Sequence, residues 1–390
     1  MRKNFKLPLY FAMGALFTAS MVACSDSDDD GDSIKEDALG TAIVPYVNNT
    51  VIGTYTKMAD ASIDLYEKCV IIKDAYTNKT LTSEMVKSAG ESWNTARKYW
   101  ELSEAFLYGA AADYNIDPHI DSWPLDKATM ESTLNNAQQM QLISEKGAGI
   151  LGYGLLGFHA VEYMLFQLDS SETKSEPRDI NKYNTNELIY LVAVAEDLRN
   201  QCVRLEASWA GTDNITAAKQ QILEDAELEP TFNYGESMLA SGQAGSKYKN
   251  FLAAAQDIIQ GCIDIADEVG NQKIGRPVNG SSEDDKNYIE SPYSLNSIVD
   301  FTDNIISIKN SYEGINSGDA SISDYIKSVD PTLDAKVKAS IQAAIDIIGK
   351  IPEPFAKNAS TNADAKKAVT VVGTDLVKTL EEVAQALSKY

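Results

Sequence analysis

One stretch constrains what this chain can fold into more than any other: AGILGYGLLGFHAVEYMLFQL, from Ala148 to Leu168. It is apolar almost all round, so as a helix it must be buried. Its strongly polar members are His159, Glu162 and Gln167. Gly149, Gly152, Gly154 and Gly157 precede the histidine, and each costs about 1 kcal/mol against alanine if helical. Tolerating them implies that another backbone approaches closely here. A buried carboxylate and a buried imidazole need partners, because an unpaired buried charge is strongly unfavourable. Helical residues three apart share a face, so His159 and Glu162 project together. The functional site is expected at that pair.

The flanking chain reads as helix after helix. Apolar periodicity runs from Glu36 to about Asn78, and Thr82 or Ser83 can cap a second helix to about Ala112. On that helix Arg97, Trp100, Glu104 and Tyr108 alternate three and four apart and form one stripe. The stripe is either an amphipathic face with an Arg97–Glu104 contact or a polar wall facing His159. Pro118 and Pro124 interrupt NIDPHIDSWPLD, Asn115 to Asp126, where His119 and Asp121 sit among further acids. Helices follow at about Lys127–Ile143, the central 148–168, Asn186–Ala210, Ala217–Leu239 and Ser246–Val269. A glycine- and acid-rich loop spans Gly270–Ser294, and helices at Ser294–Gly314, Ser323–Lys350 and Thr361–Lys389 complete the chain. Strand signals are almost absent. The fold class is therefore all-α: two helical-bundle halves, 36–213 and 214–390.

The N-terminus is a separate matter. Arg2, Lys3 and Lys6 precede an apolar run from Leu7 to Val22, and MVAC ends at Cys24. This is the pattern of a secretory signal peptide over 1–23, with lipidation expected on Cys24. An acidic tether follows to residue 35. Losing the leader's three basic residues takes the net charge from −23 to −26, which excludes nucleic acid as a partner. Lipid anchoring places the protein at a bacterial outer membrane, on the cell surface or the periplasmic face. Beyond Cys24 stand Cys69, Cys202 and Cys262. Their spacing fits no zinc module, and they read as buried residues with one disulfide at most.

His-x-x-Glu by itself is a weak signal. Here the apolar setting and the presence of only two histidines in 390 residues sharpen it. An imidazole and a carboxylate one turn apart suit iron, zinc or manganese in a helical bundle. The HExxH of common zinc peptidases is missing. Glu104, Asp121 or His119 would have to complete the ligand set. A buried hydrogen-bonded pair without metal remains the alternative.

GFHAVE, Gly157 to Glu162, matches the GxHxxE motif of the imelysin family, also called M75 peptidases. The resemblance extends to WNTARKYWELSEAFLYG (Trp93–Gly109), IDSWPLD (Ile120–Asp126) and SPYSLNSIVDFTDNIISIKNSYEG (Ser291–Gly314). It implies two helical halves with a site at their interface. Carried over residue by residue, it singles out Gly157, His159 and Glu162, with Arg97, Glu104, Asp121, Ser294 and Asp300 from the accompanying segments. The family carries a peptidase name, while related proteins belong to bacterial iron-uptake systems. The expectation is a lipoprotein that binds a metal ion or small metal chelate, iron first and zinc second, in concert with iron-transport components. His159, Glu162, Glu104 and Asp121 would be ligands, and Arg97 would hold a carboxylate or balance an anionic chelate. The alternatives are an M75 metallopeptidase, with Glu162 or Glu104 as base, and a metal-free module in which Arg97, Glu104, His159 and Glu162 close a hydrogen-bonded network.

Overall fold

The computed structural model describes residues 29–389. The leader and Cys24 lie outside them, and side chains are described from residue 33. Apart from one two-stranded antiparallel ribbon, β1 (Phe166–Leu168) with β2 (Ser175–Pro177), the described residues form helices and their connections. The chain is all-α.

On the first side the long helices Gly53–Thr77, Ser83–Glu101 and Thr185–Ala210 pack together, and Gly157–Leu165 lies against the last two. On the second, Phe251–Glu268 packs on Ser297–Glu313 and Val377–Lys389, and Pro331–Ile348 covers Ser297–Glu313. The two sides meet where Ser83–Glu101 touches Ser297–Glu313. One continuous apolar core runs from Leu39 to Leu387. Helix starts follow local chemistry: Asn184 and Glu187 form a reciprocal capping box, as do Ser321 and Asp324.

The first helix, Asp29–Pro45, already covers part of the expected tether ahead of Glu36. Tertiary contacts hold it. Buried Lys35 donates to the Leu387 carbonyl at 2.5 Å. Glu36 accepts from the Phe251 and Leu252 amides at 2.7 and 3.0 Å, satisfying the free N–H groups that open the helix there. A π-helical segment, Tyr46–Ile52, carries this helix into Gly53–Thr77.

Several of the expected helices need correction, among them Lys127–Ile143, which is broken into Lys127–Leu134 and Ala137–Lys146, and Ser323–Lys350, which is broken into Ile322–Val329 and Pro331–Ile348. The helix from Ser83 stops at Glu101, because Ser103 turns its hydroxyl onto the Trp100 carbonyl at 2.6 Å. Glu104 therefore sits in a separate 3-10 turn, Glu104–Phe106, and the four-residue stripe does not exist. The central stretch is α-helical only over Gly157–Leu165; two 3-10 turns precede it and β1 follows. Ala217–Leu239 is broken into Ala217–Ala226 and Tyr234–Leu239. Cys69, Cys202 and Cys262 are buried, as expected, and all three are free thiols.

Candidate functional site

The site starts from a backbone contact. Gly157 adopts φ +73°, and a Cβ there would stand 1.9 Å from the Ile120 carbonyl oxygen. Only glycine lets the segment ending at Ile120 lie on the start of the Gly157–Leu165 helix. That contact sets Asp121 beside His159, with His159 Nε2 3.1 Å from Asp121 Oδ1. His159 Nδ1 lies 3.5 Å from Glu162 Oε2. The other Glu162 oxygen accepts from the Tyr293 amide at 2.9 Å, the Ser294 amide at 2.7 Å and the Ser294 hydroxyl at 2.7 Å. Glu162 thus clamps the 293–294 turn onto the first side. Ser291 (φ 50°) and Leu295 (φ 56°), left-handed without being glycine, flank that clamp, and such strain persists only where surrounding contacts over-determine it.

Arg97 is the hub. It is fully buried, its guanidinium lies 5.3 Å from the Phe158 ring centroid, and it donates to Asp121. Its Nη2 reaches Glu101 at 2.5 Å and Glu290 at 2.6 Å, and its Nε lies 3.5 Å from Asp300. Trp100 Nε1 donates to the second Asp121 oxygen at 2.7 Å. Asp300 accepts from Ser291 at 2.5 Å and Asn296 at 2.6 Å.

A second buried cation, Lys273, stands 3.2 Å from Glu290, 3.5 Å from Glu104 and 3.6 Å from Glu101. It comes from a π-helical turn, Val269–Lys273. That turn packs backbone to backbone on another, Val371–Leu376: a Cβ on Gly270 would meet the Gly373 nitrogen at 2.2 Å. The Glu104 turn is pinned by Gly261, whose missing Cβ admits the Ala105 carbonyl, and by Ser307, which accepts from the Ala105 amide at 3.0 Å.

Charge is unevenly matched here. Glu101, Glu104, Asp121, Glu162, Glu290 and Asp300 are buried around two fixed cations, Arg97 and Lys273, and one imidazole. Burial works against the Arg97 charge, but Asp121, Glu101, Asp300 and Glu290 hold it firmly protonated. Burial likewise opposes charge on Asp121, yet Arg97 and His159 keep it well below the usual carboxylate range. Burial wins elsewhere: it pushes Glu290 up to about 7 and raises Asp300 and Glu104 despite their cationic neighbours. Burial lowers His159, but its contacts with Asp121 and Glu162 lift it to about 9.

Two groupings of the described residues could hold a metal ion: Asp121, His159 and Glu290, and Glu101, Glu104 and Asp121, with the ligand atoms of each within 4.8 Å of one another. The first fits better. Glu290 Oε2 is buried without a hydrogen-bond partner, and His159 Nε2 is buried with only its 3.1 Å ion-pair contact to Asp121; an unpaired buried oxygen of this kind calls for an ion or water. A nitrogen with two carboxylate oxygens is also a suitable donor set for iron or zinc. A cleft of about 310 Å³ opens over His159 and Glu162, walled by Trp123, Leu125, Ile289 and Tyr293, with Lys127 at its side.

The expected residues therefore fall into distinct places. Arg97, Asp121, His159, Glu162, Ser294 and Asp300 are brought together, and Gly157 is the contact that permits it. Glu104 pairs with Lys273 and not with Arg97, with its carboxylate within 4.8 Å of Asp121. His119 is elsewhere, 2.7 Å from Asp197. Sequence reasoning missed Glu101, Lys273 and Glu290. Glu101 is one helical turn from Arg97 and Glu290 directly precedes the SPYS segment, so both carried a faint signal. Lys273, in what reads as an exposed loop, carried none.

The chain is similar to known proteins over most of its length. The imelysin family model (Peptidase_M75) matches residues 52–385. Iron-regulated protein A of Synechococcus elongatus is 26% identical over 316 residues, covering 80% of this chain and 76% of that protein. A solved structure from Parabacteroides distasonis, described as an iron-regulated protein A precursor, is similar with TM-score 0.75 and 28% identity, covering 90% of this chain and 95% of that one. An imelysin-like protein from Psychrobacter arcticum shares the fold with TM-score 0.58 at 12% identity, over 95% and 96% of the two chains. This chain belongs to the imelysin family.

Proposed function

We propose that this protein is an outer-membrane lipoprotein, anchored through Cys24, that binds iron as cargo for bacterial iron uptake. The observation that carries this reading is one buried cluster in which Asp121, His159 and Glu290 bring their ligand atoms within 4.8 Å of one another, with Glu290 Oε2 left without a hydrogen-bond partner. Six buried carboxylates face two fixed cations and one imidazole; burial favours the protonated forms of Glu290, Asp300 and Glu104, and a bound cation can take the place of such protons. The name of the Synechococcus relative, an iron-regulated protein, supports iron over zinc.

Glu162 is the clamp on the 293–294 turn in this reading. One of its oxygens is taken up by three donors, which favours a binding protein over a peptidase that would need it as a free base. The test is calorimetric titration of iron(II), iron(III) and zinc(II) into the purified protein and into His159→Ala. One equivalent bound by the parent and lost in the variant is the expected result. Equal binding by both proteins rejects His159 as a ligand. Incorporation of labelled fatty acid, lost in Cys24→Ala, tests the anchor.

A further inference from the structure

The cleft over His159 is unlike a funnel for a bare cation. Its about 310 Å³ would hold about ten water volumes, far more than one ion. Its walls are aromatic and aliphatic: Trp123, Leu125, Ile289 and Tyr293. The one acid lining it, Glu162, already accepts three hydrogen bonds on one oxygen. The one fixed cation lining it, Lys127, is exposed, lies 4.8 Å from the Tyr293 ring centroid and 5.6 Å from that of Tyr163, and has no carboxylate partner among the described residues. Trp123 stacks toward Tyr288 at 5.3 Å and toward His159 at 6.0 Å between centroids. The acid-rich cluster lies behind His159; the approach to it is apolar with one free ammonium.

Such an approach repels a hydrated cation and suits an organic anion. Resting on the metal-binding reading above, we propose that the metal arrives as a small anionic aromatic chelate. Its ring packs against Trp123 and Tyr293, its negative charge meets Lys127, and its metal faces His159. The cation–π contacts that now hold Lys127 keep its ammonium at the cleft without consuming its charge.

The experiment compares two probes on the purified protein: iron(III) 2,3-dihydroxybenzoate, and iron(II) or zinc(II) added as simple salts. Lys127→Gln is the main variant, since that side chain is exposed and its loss leaves the core intact; Trp123→Ala is the second, and circular dichroism checks both folds. The chelate is expected to bind at one equivalent, and the ratio of chelate to simple-salt affinity is expected to fall about tenfold in Lys127→Gln, the scale of one charge-assisted contact. Chelate binding at parental strength in both variants overturns the proposal. So does a parent that takes simple salts and refuses the chelate, an outcome that leaves the metal reading standing. A parent that binds neither probe removes the metal reading and this proposal together.

Discussion

Gly157 and Ile120 meet backbone to backbone, and the site exists because they do. The Ile120 carbonyl occupies the place where any other residue at 157 would carry its Cβ. This contact fixes the distance between two chain segments, the one bearing Asp121 and the one bearing His159. Substituting Gly157→Ala forces both a steric overlap and a left-handed backbone. The expected loss is about 3 kcal/mol, combining overpacking with the αL cost of a non-glycine residue. Chemical denaturation measures it; a stability within 0.5 kcal/mol of the parent, about the ordinary surface-mutation range, would refute the argument.

Arg97 neutralises a set of carboxylates that cannot all stay ionised without it. Arg97→Met should destabilise the fold by about 3–5 kcal/mol, the scale for stranding buried partners. The deficit should shrink at acidic pH, because burial already favours protonated Glu290 and Asp300. Denaturation midpoints of parent and variant at pH 5 and pH 8 decide it. A deficit that is equal at both values would count against the electrostatic explanation.

His159 should keep its proton well above neutrality, titrating near 9 against about 6.5 in an unfolded chain. A base whose pKa is raised by folding adds stability that is complete below the unfolded value and vanishes as pH rises through the folded one. The stability gap between the parent and His159→Gln should therefore be largest near pH 6 and close by pH 10. With one other histidine in the chain, ring-nitrogen NMR can follow the titration directly, and a midpoint near 6.5 would contradict the structure.

The same proton competes with metal. A cation at His159 must displace it, so affinity should increase as pH rises from about 7 to 9, with proton release detectable in buffers of different ionisation enthalpy. Affinity that is flat over this interval would show that His159 does not ligate.

Glu290 and Glu104 separate the two metal-capable groupings, which share Asp121. Glu290→Gln should weaken iron binding by tenfold or more, an effect of about 1.4 kcal/mol, while Glu104→Gln should have less than a third of that effect in energy. The reverse order would move the metal to the Glu101–Glu104 side.

Much of this was legible in the chain itself. Apolar spacing of 3.6 residues dictates an all-helical protein, because an amphipathic helix has to bury its stripe. GFHAVE announced a site, because polar groups in so apolar a stretch require partners. Local sequence also set the helix starts, through side chains such as Asn184 and Ser321 that reach amides only three residues away. Other features were decided by tertiary structure alone. The helix starting at Ser83 stops at Glu101, and the central stretch is helical for nine residues rather than twenty-one. Glycines spread along that stretch are compatible with either outcome until Ile120 arrives to claim the space at Gly157. Lys273 and Glu290 were invisible for a related reason. Their segment is polar and glycine-rich, which spells an exposed loop, and their burial depends on Arg97, Glu101 and Glu104, more than 150 residues earlier in the chain. Periodicity reports what a residue does within its own helix; a network of buried charges is set by which segments, distant in sequence, are pressed together.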